Sequence, residues 1–287
     1  LVVSRRVIDA HTHLFSPDVL ANRERYVVRD YWFGELYGPP AARLATPEEL
    51  LASMDASGIE CSVVCGFPWS DPGICRQEND YLAGLARNSG GRLAFMGMVV
   101  PHLPGASEEA ERCFGLGAVA IGELNADAQG FDLLDPLSIT PVMDSCRQAG
   151  KPVMLHSSEP VGHGYPGKGT ATPAKFVHWL QTWKDQPVVL AHWGGGLPFY
   201  ELMPEVRELT ANVAYDSGAS TYLYRQDVFR HVLNLVGPER VLFGSDFPVL
   251  GQTRLLNRVR RQFEDDPALD ALLGGNAARI YGLSAET

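Results

Sequence analysis

Positive charge is scarce in this chain: 24 Lys and Arg stand against 34 Asp and Glu in 287 residues, a formal charge of −10. Nucleic-acid surfaces need clustered cations that release counterions from phosphates, so no nucleic-acid partner is expected. No apolar run is long enough to span a bilayer, and no membrane partner is expected either. The amino terminus, Leu1-Val-Val-Ser-Arg-Arg, enters a strand at once and lacks the basic, long apolar and small-residue segments of a secretory signal. A cytoplasmic location is therefore expected. Cysteine is sparse: Cys61, Cys65, Cys75, Cys113 and Cys146 are odd in number and never spaced C-x-x-C. That argues against a disulfide framework and a structural zinc knuckle, leaving buried free thiols as the expectation. The first strand-like run lacks the Gly-rich phosphate loop of a doubly wound nucleotide fold and carries His-Thr-His in its place.

What is present is a repeating alternation. Short β-branched apolar runs recur near Val7 to His13, Glu60 to Gly66, Leu93 to Val100, Ala118 to Leu124, Pro152 to His156, Pro187 to His192, Val213 to Asp216 and Val241 to Asp246, with helical spacing between them. Eight strand–helix units argue for a parallel (β/α)8 barrel, and the length suits one such domain over residues 1–287. The first full helix is signalled by Thr46 as cap, Pro47, Glu49 completing a capping box, and the stripe Leu50, Leu51 and Met54, with Gly58 ending it. The seventh repeats the logic from Val228 to Val236, closed by Gly237-Pro238. The connection after the first strand, about residues 15–45, is oversized and carries Tyr26, Tyr31, Trp32, Phe33 and Tyr37. On this fold the loops after strands form the catalytic face, so it is either a functional loop or a packed flap.

Four of these strands end in residues that bind metals. In Val7-Ile-Asp-Ala-His-Thr-His13, residues two apart share a face, so His11 and His13 project together toward the barrel axis. His156 follows Val-Met-Leu, His192 follows Val-Val-Leu-Ala, and Asp246 follows Val-Leu-Phe-Gly-Ser. A barrel brings such ends to one rim, where imidazole and carboxylate form a divalent-cation site. Glu123, at the end of the fourth strand, either bridges two ions or orients a histidine. Asp9, read as sharing the face of His11, is expected to support the site without ligating. Among the remaining candidates, Arg76, His163 and Tyr165 are weaker substrate contacts, and His102, Lys168, Arg225 and Arg254 also fall in loops of the catalytic face. His178 and His231 fall within predicted helices remote from it.

At these residues the chain resembles the amidohydrolase superfamily, and within it the amidohydrolase 2 branch that includes aminocarboxymuconate-semialdehyde decarboxylase. The likeness runs from Ile8-Asp-Ala-His-Thr-His to the tail Gly274-Gly-Asn-Ala-Ala-Arg-Ile-Tyr-Gly-Leu. It implies one divalent ion on His11, His13, His156 and Asp246, with His192 polarising the substrate or binding a second ion, and with Asp246 taking a proton from the metal-bound water. Glu123 departs from the decarboxylase pattern and looks more like hydrolases with a bridging Glu, which leaves one or two ions open. The expected activity is metal-dependent hydrolysis of a small amide, ester or lactone by a metal-activated water. The alternative is nonoxidative decarboxylation or hydration of a small carboxylated substrate; a non-catalytic binding barrel ranks last. Zinc is the expected ion and manganese the alternative. The expected partner is a small-molecule substrate, with a homo-oligomer left open.

Overall fold

The computed structural model describes residues 6–283; the reading of the amino terminus above falls on residues 1–5, outside the described residues. All eight expected strands are present: β1 (Ile8–His13), β2 (Cys61–Cys65), β3 (Leu93–Phe95), β4 (Ile121–Leu124), β5 (Val153–Leu155), β6 (Val188–Leu190), β7 (Val213–Asp216) and β8 (Val241–Leu242). Every neighbouring pair within the two ladders, β1-β2-β3 and β4 to β8, is parallel. The regular pairing breaks at two seams, which are stitched by backbone hydrogen bonds. At the first, Gly97 N–H donates to Ala120 O and Gly122 N–H to Gly97 O, each at 2.9 Å. At the second, Ala10 N–H donates to Phe243 O and His13 N–H to Phe247 O, each at 2.8 Å. The strand order is that of a (β/α)8 barrel.

Two apolar layers follow from the period-2 alternation of the strands. Ile8, Ala10, Val63, Met96, Met154 and Val189 pack with Tyr281 of the last helix inside the ring of strands. Their neighbours Val64, Phe95, Val153 and Val188 face the helices. Helix Pro47–Ser57 begins with the expected Thr46–Glu49 capping box and ends at Gly58, whose φ of 71° suits a residue without Cβ. Helix Val228–Val236 buries Val228, Phe229, Val232, Leu233 and Val236, as its spacing predicts. All five cysteines are buried and free. Burial pushes Cys61 up to about 11 and Cys65 up to about 12, so they are inert thiols.

The segment after β1 differs from the expected loop. It folds into three short helices, Pro17–Ala21, Arg23–Arg29 and Tyr31–Tyr37, too short for apolar periodicity to reveal. Their ends are fixed by side chains: Ser16 caps the first, and Asp30 caps the third by accepting from Phe33 N–H. Phe33 stacks on Trp69 with ring centroids 4.7 Å apart and meets Phe15, Tyr26, Tyr37 and Phe67 at their edges or at a tilt. This aromatic knot clamps the segment over the carboxyl ends of β1 and β2. Among the described residues, no helix is long and apolar enough to cross a membrane.

Candidate metal centre

Strict alternation along β1 would send His11 and His13 away from the axis, because Ile8 and Ala10 already point inward. The pairing register shifts by one residue between Asp9 and Thr12, and this extra residue turns both histidines inward. The same device recurs on β4, where the register shifts between Ile121 and Leu124 and Glu123 turns in. Gly122 makes the second bend feasible: a Cβ there would lie 2.6 Å from Met154 O. Asp9 is thereby separated from the face of His11, contrary to the reading from alternation. It is buried and accepts from Ser245 N–H at 2.9 Å, Ser245 Oγ at 2.5 Å and Gln252 Nε2 at 2.8 Å, so it ties β1 to the turn after β8.

His192 and Asp246 reach the site from left-handed backbone, with φ of 54° and 60°. Such conformations are costly for residues with a Cβ and recur where side chains must be aimed. His192 opens a turn in which Trp193, Gly194, Gly195 and Gly196 are also left-handed. A Cβ on Gly195 would lie 2.3 Å from Ser158 O, so the Gly-Gly-Gly run lets this turn pack on the β5 loop.

Six side chains converge as a result. His11 Nε2 and His13 Nε2 are 3.0 Å apart. Asp246 Oδ1 lies 3.7 Å from the first and 3.3 Å from the second, and Glu123 Oε2 lies 3.4 and 3.6 Å from the same two atoms. Tetrahedral zinc with bonds of about 2.0–2.1 Å has ligand–ligand edges of about 3.3–3.4 Å, so the separations among His11, His13 and Asp246 fit one ion, while Glu123 groups with His11 and His192. Tautomer chemistry agrees: His11 Nδ1 donates to Asp216 Oδ2 at 2.8 Å, which leaves a lone pair on Nε2 facing the cluster. The other oxygen of Glu123, Oε1, faces His156 Nδ1 at 2.9 Å and His192 Nε2 at 3.1 Å.

Within the cluster the carboxylates and imidazoles shift one another's affinity for protons. Burial lowers the affinity of His11 for a proton, but Asp216 and Glu123 outweigh it and hold the group well above its usual range. His192 is likewise depressed by burial and raised by Glu123, ending at about 9. Burial opposes ionisation of Glu123 and Asp246, yet the histidines hold both carboxyls below their ordinary values.

Above the cluster is a cleft of about 90 Å³, walled by Trp32, Leu36, Tyr37, Phe67, Pro68 and Val249, with Asn125 and Ala128 on the β4 side. A larger cavity of about 580 Å³ lies at the opposite end of the strands, between Arg6, Glu60 and Arg92, far from these ligand-type residues. Of the weaker candidates, none lines the cleft. Arg76 is exposed and paired with Glu109 at 2.7 Å. Tyr165 donates to Glu159 Oε2 at 2.8 Å and packs with His163 and Tyr222, their ring centroids 5.5–5.7 Å apart. Lys168 donates to the carbonyls of Val161 and His163, folding that same loop. His102, Arg225 and Arg254 are exposed. Sequence reasoning missed Asp216 and Asn125. Asp216 ends β7 as Asp246 follows β8, and that shared position was a usable signal.

The amidohydrolase family matches this chain over residues 8–283. No curated sequence matches it. Among solved structures, 5-carboxyvanillate decarboxylase from Sphingomonas paucimobilis is similar with a TM-score of 0.81 at 20% identity, covering 98% of this chain and 100% of its own. Dihydroxybenzoic acid decarboxylase from a Polaromonas species, crystallised with manganese and the inhibitor 2-nitroresorcinol, has a TM-score of 0.74 at 18% identity, covering 98% of each chain. 2,6-Dihydroxybenzoate decarboxylase from Rhizobium has a TM-score of 0.73 at 18% identity, covering 98% of this chain and 99% of its own. These likenesses are of fold.

Proposed function

The chain belongs to the amidohydrolase family, and on that premise we propose that it is a metal-dependent enzyme that removes carbon dioxide, without oxidation, from a small carboxylated aromatic or enolic substrate. The observation that carries this reading is a cleft with metal-ligand residues at its floor and Trp32, Tyr37 and Phe67 in its walls, which suits a flat ring standing on its acid group. The similarity in shape to three decarboxylases of aromatic acids gives it more support than the hydrolysis expected from sequence.

His11, His13 and Asp246 would hold a divalent ion, with Glu123 beside it toward His192; the ion is zinc in our reading given the imidazole donors, with manganese as the alternative. When bound, that ion supplies a concentrated positive charge for the carboxylate and hydroxyl oxygens of the substrate. We assign to Asp246, whose ionised form is favoured by His13, His11 and His192 against its burial, the role of accepting the substrate's hydroxyl proton and returning it to the ring carbon that bears the carboxylate. The carbon–carbon bond then breaks, its electron pair returns to the ring, carbon dioxide leaves, and the phenolate product takes a proton from water. His192 is assigned to polarising the substrate, or to a second ion with His156 and Glu123 Oε1.

Hydrolysis remains the second reading, because the two oxygens of Glu123 face different histidine pairs, as a carboxylate between two ions would. Metal-loaded protein should be screened against hydroxybenzoates and carboxylated enols for carbon dioxide release, and against lactones, esters and amides for acid release. Carbon dioxide is the expected product; acid release from the second set alone would replace the first reading with the second.

A further inference from the structure

Asn125 stands two residues beyond Glu123 and is 6% exposed, yet it lines the cleft. Its carboxamide cannot turn. Oδ1 accepts from Asp127 N–H and Ala128 N–H, both at 3.0 Å, and so caps the short turn after β4. This fixes the amide orientation and commits Nδ2 as a donor. Among the described residues, Nδ2 has no hydrogen-bond partner. An amide with one end locked to backbone and the other free to donate at a cleft is a reading head for an acceptor.

The surroundings define which acceptor. Apart from the ligand-type histidines and carboxylates, the cleft that Asn125 lines is largely apolar and aromatic, with Trp32, Tyr37 and Phe67 among its lining. The acidic groups next to it in the chain are Glu123 and Asp127, the latter accepting from Thr170 N–H and Thr170 Oγ1 at 2.7 Å. A second carboxylate on the substrate would lose its water among apolar side chains and meet these anions, whereas a neutral oxygen would gain a donor at little desolvation cost.

We propose that Asn125 is a specificity-determining residue that donates from Nδ2 to a neutral oxygen of the substrate, selecting compounds with one anionic group plus a neutral acceptor over dicarboxylates. This rests on the decarboxylase reading of the same site and narrows its substrate class.

Binding can be read without turnover, because Trp32 lines the cleft and its fluorescence should respond to a ring beside it. The probes are 2-hydroxybenzoate and its acetyl- and carboxyl-substituted derivatives at ring positions 4 and 5, titrated into metal-loaded protein, with Trp32→Phe identifying the signal. An acetyl derivative should bind about 3- to 10-fold tighter than the parent, the worth of one neutral hydrogen bond, and a carboxyl derivative should not. Asn125→Ser keeps a capping oxygen and removes the amide donor, so within this variant the acetyl derivative should bind no tighter than the parent. Asn125→Asp, which also keeps the cap, should erase it too. An acetyl advantage that survives in both variants, a carboxyl derivative that binds tightest, or no quenching by any probe would overturn the inference. Carbon dioxide release is measured in parallel. Asn125-dependent binding without release leaves the inference standing and removes the decarboxylase reading; release with selectivity unchanged in Asn125→Ser removes the inference alone.

Discussion

Asp216 holds two of the site's histidines at once: Oδ2 accepts from His11 Nδ1 at 2.8 Å, and Oδ1 accepts from the backbone N–H of His192 at 3.1 Å and of Gly218 at 2.7 Å. Three donors converge on one fully buried side chain that can only accept when ionised. Asparagine has the same shape but must turn its NH2 toward one of those donors. Asp216→Asn should therefore keep the fold while weakening divalent-metal affinity about 10- to 100-fold, the usual effect of removing a carboxylate that orients a ligating histidine. Competition titration with a metal indicator measures this; unchanged affinity would mean that His11 needs no such support.

The position of Glu123 between two histidine pairs bears on the number of ions. Oε2 lies 3.4 Å from His11 Nε2, and Oε1 lies 3.1 Å from His192 Nε2. Glu123→Gln should lower bound metal by about one equivalent in elemental analysis if Glu123 joins two ions, because an amide has one good ligand atom where the carboxylate has two. If the wild type binds one equivalent and the variant keeps it with weaker affinity, Glu123 acts by orienting His156 and His192.

Much of this site can be read from the chain, and what cannot has a local cause. His11, His13, His156, His192 and Asp246 are legible because each stands at the end of an apolar run, and a barrel gathers such ends. Why they point inward is not legible: alternation from Ile8 gives the opposite face, and a one-residue register shift leaves no mark in composition. The same shift removed Asp9 from the place that alternation assigned to it. The helices between residues 17 and 37 escaped because each has one or two turns, below the length at which periodicity separates from noise. Asn125 escaped because its meaning lies in two backbone hydrogen bonds that fix its orientation, which only coordinates reveal.

Glu78 carries a pH-dependent cost outside the site. Its Oε2 accepts from Ser16 N–H at 3.0 Å, while Oε1 is buried without a partner. Burial raises its pKa above the ordinary 4.5, the bonds to Ser16 only partly opposing this. A raised folded value favours the protonated form, so the stability it brings is complete below about pH 4.5 and is lost as pH rises through the raised value. Glu78→Gln keeps an acceptor for Ser16 and removes the buried charge. It should raise Tm by about 2–4 °C at pH 8, corresponding to about 1 kcal/mol, with the gain shrinking toward pH 4.5. Scanning calorimetry across that range checks it, and a gain that is constant with pH would assign the effect to packing.

Asp246 is the residue to which the proposed mechanism assigns proton transfer. It leaves β8 in a left-handed conformation, its N–H donating to His11 O at 2.9 Å, so the turn after the last strand is fastened to the first. That fastening sets Oδ1 3.3 Å from His13 Nε2 and puts the carboxylate at the floor of the cleft, where a substrate's hydroxyl would arrive. Asn keeps this shape, tolerates the left-handed backbone and retains one oxygen toward His13, but it cannot carry a proton between substrate atoms. Asp246→Asn should thus fold and still take up metal at saturating concentration while losing about 10²- to 10⁴-fold in turnover, the range for a positioned proton-transfer group. The loss should fall on kcat, with KM nearly unchanged, because the residue's service comes after binding. Turnover near the wild-type rate in metal-loaded Asp246→Asn would assign proton transfer to another group, with Tyr37 and His192, both lining the same cleft, the next to replace.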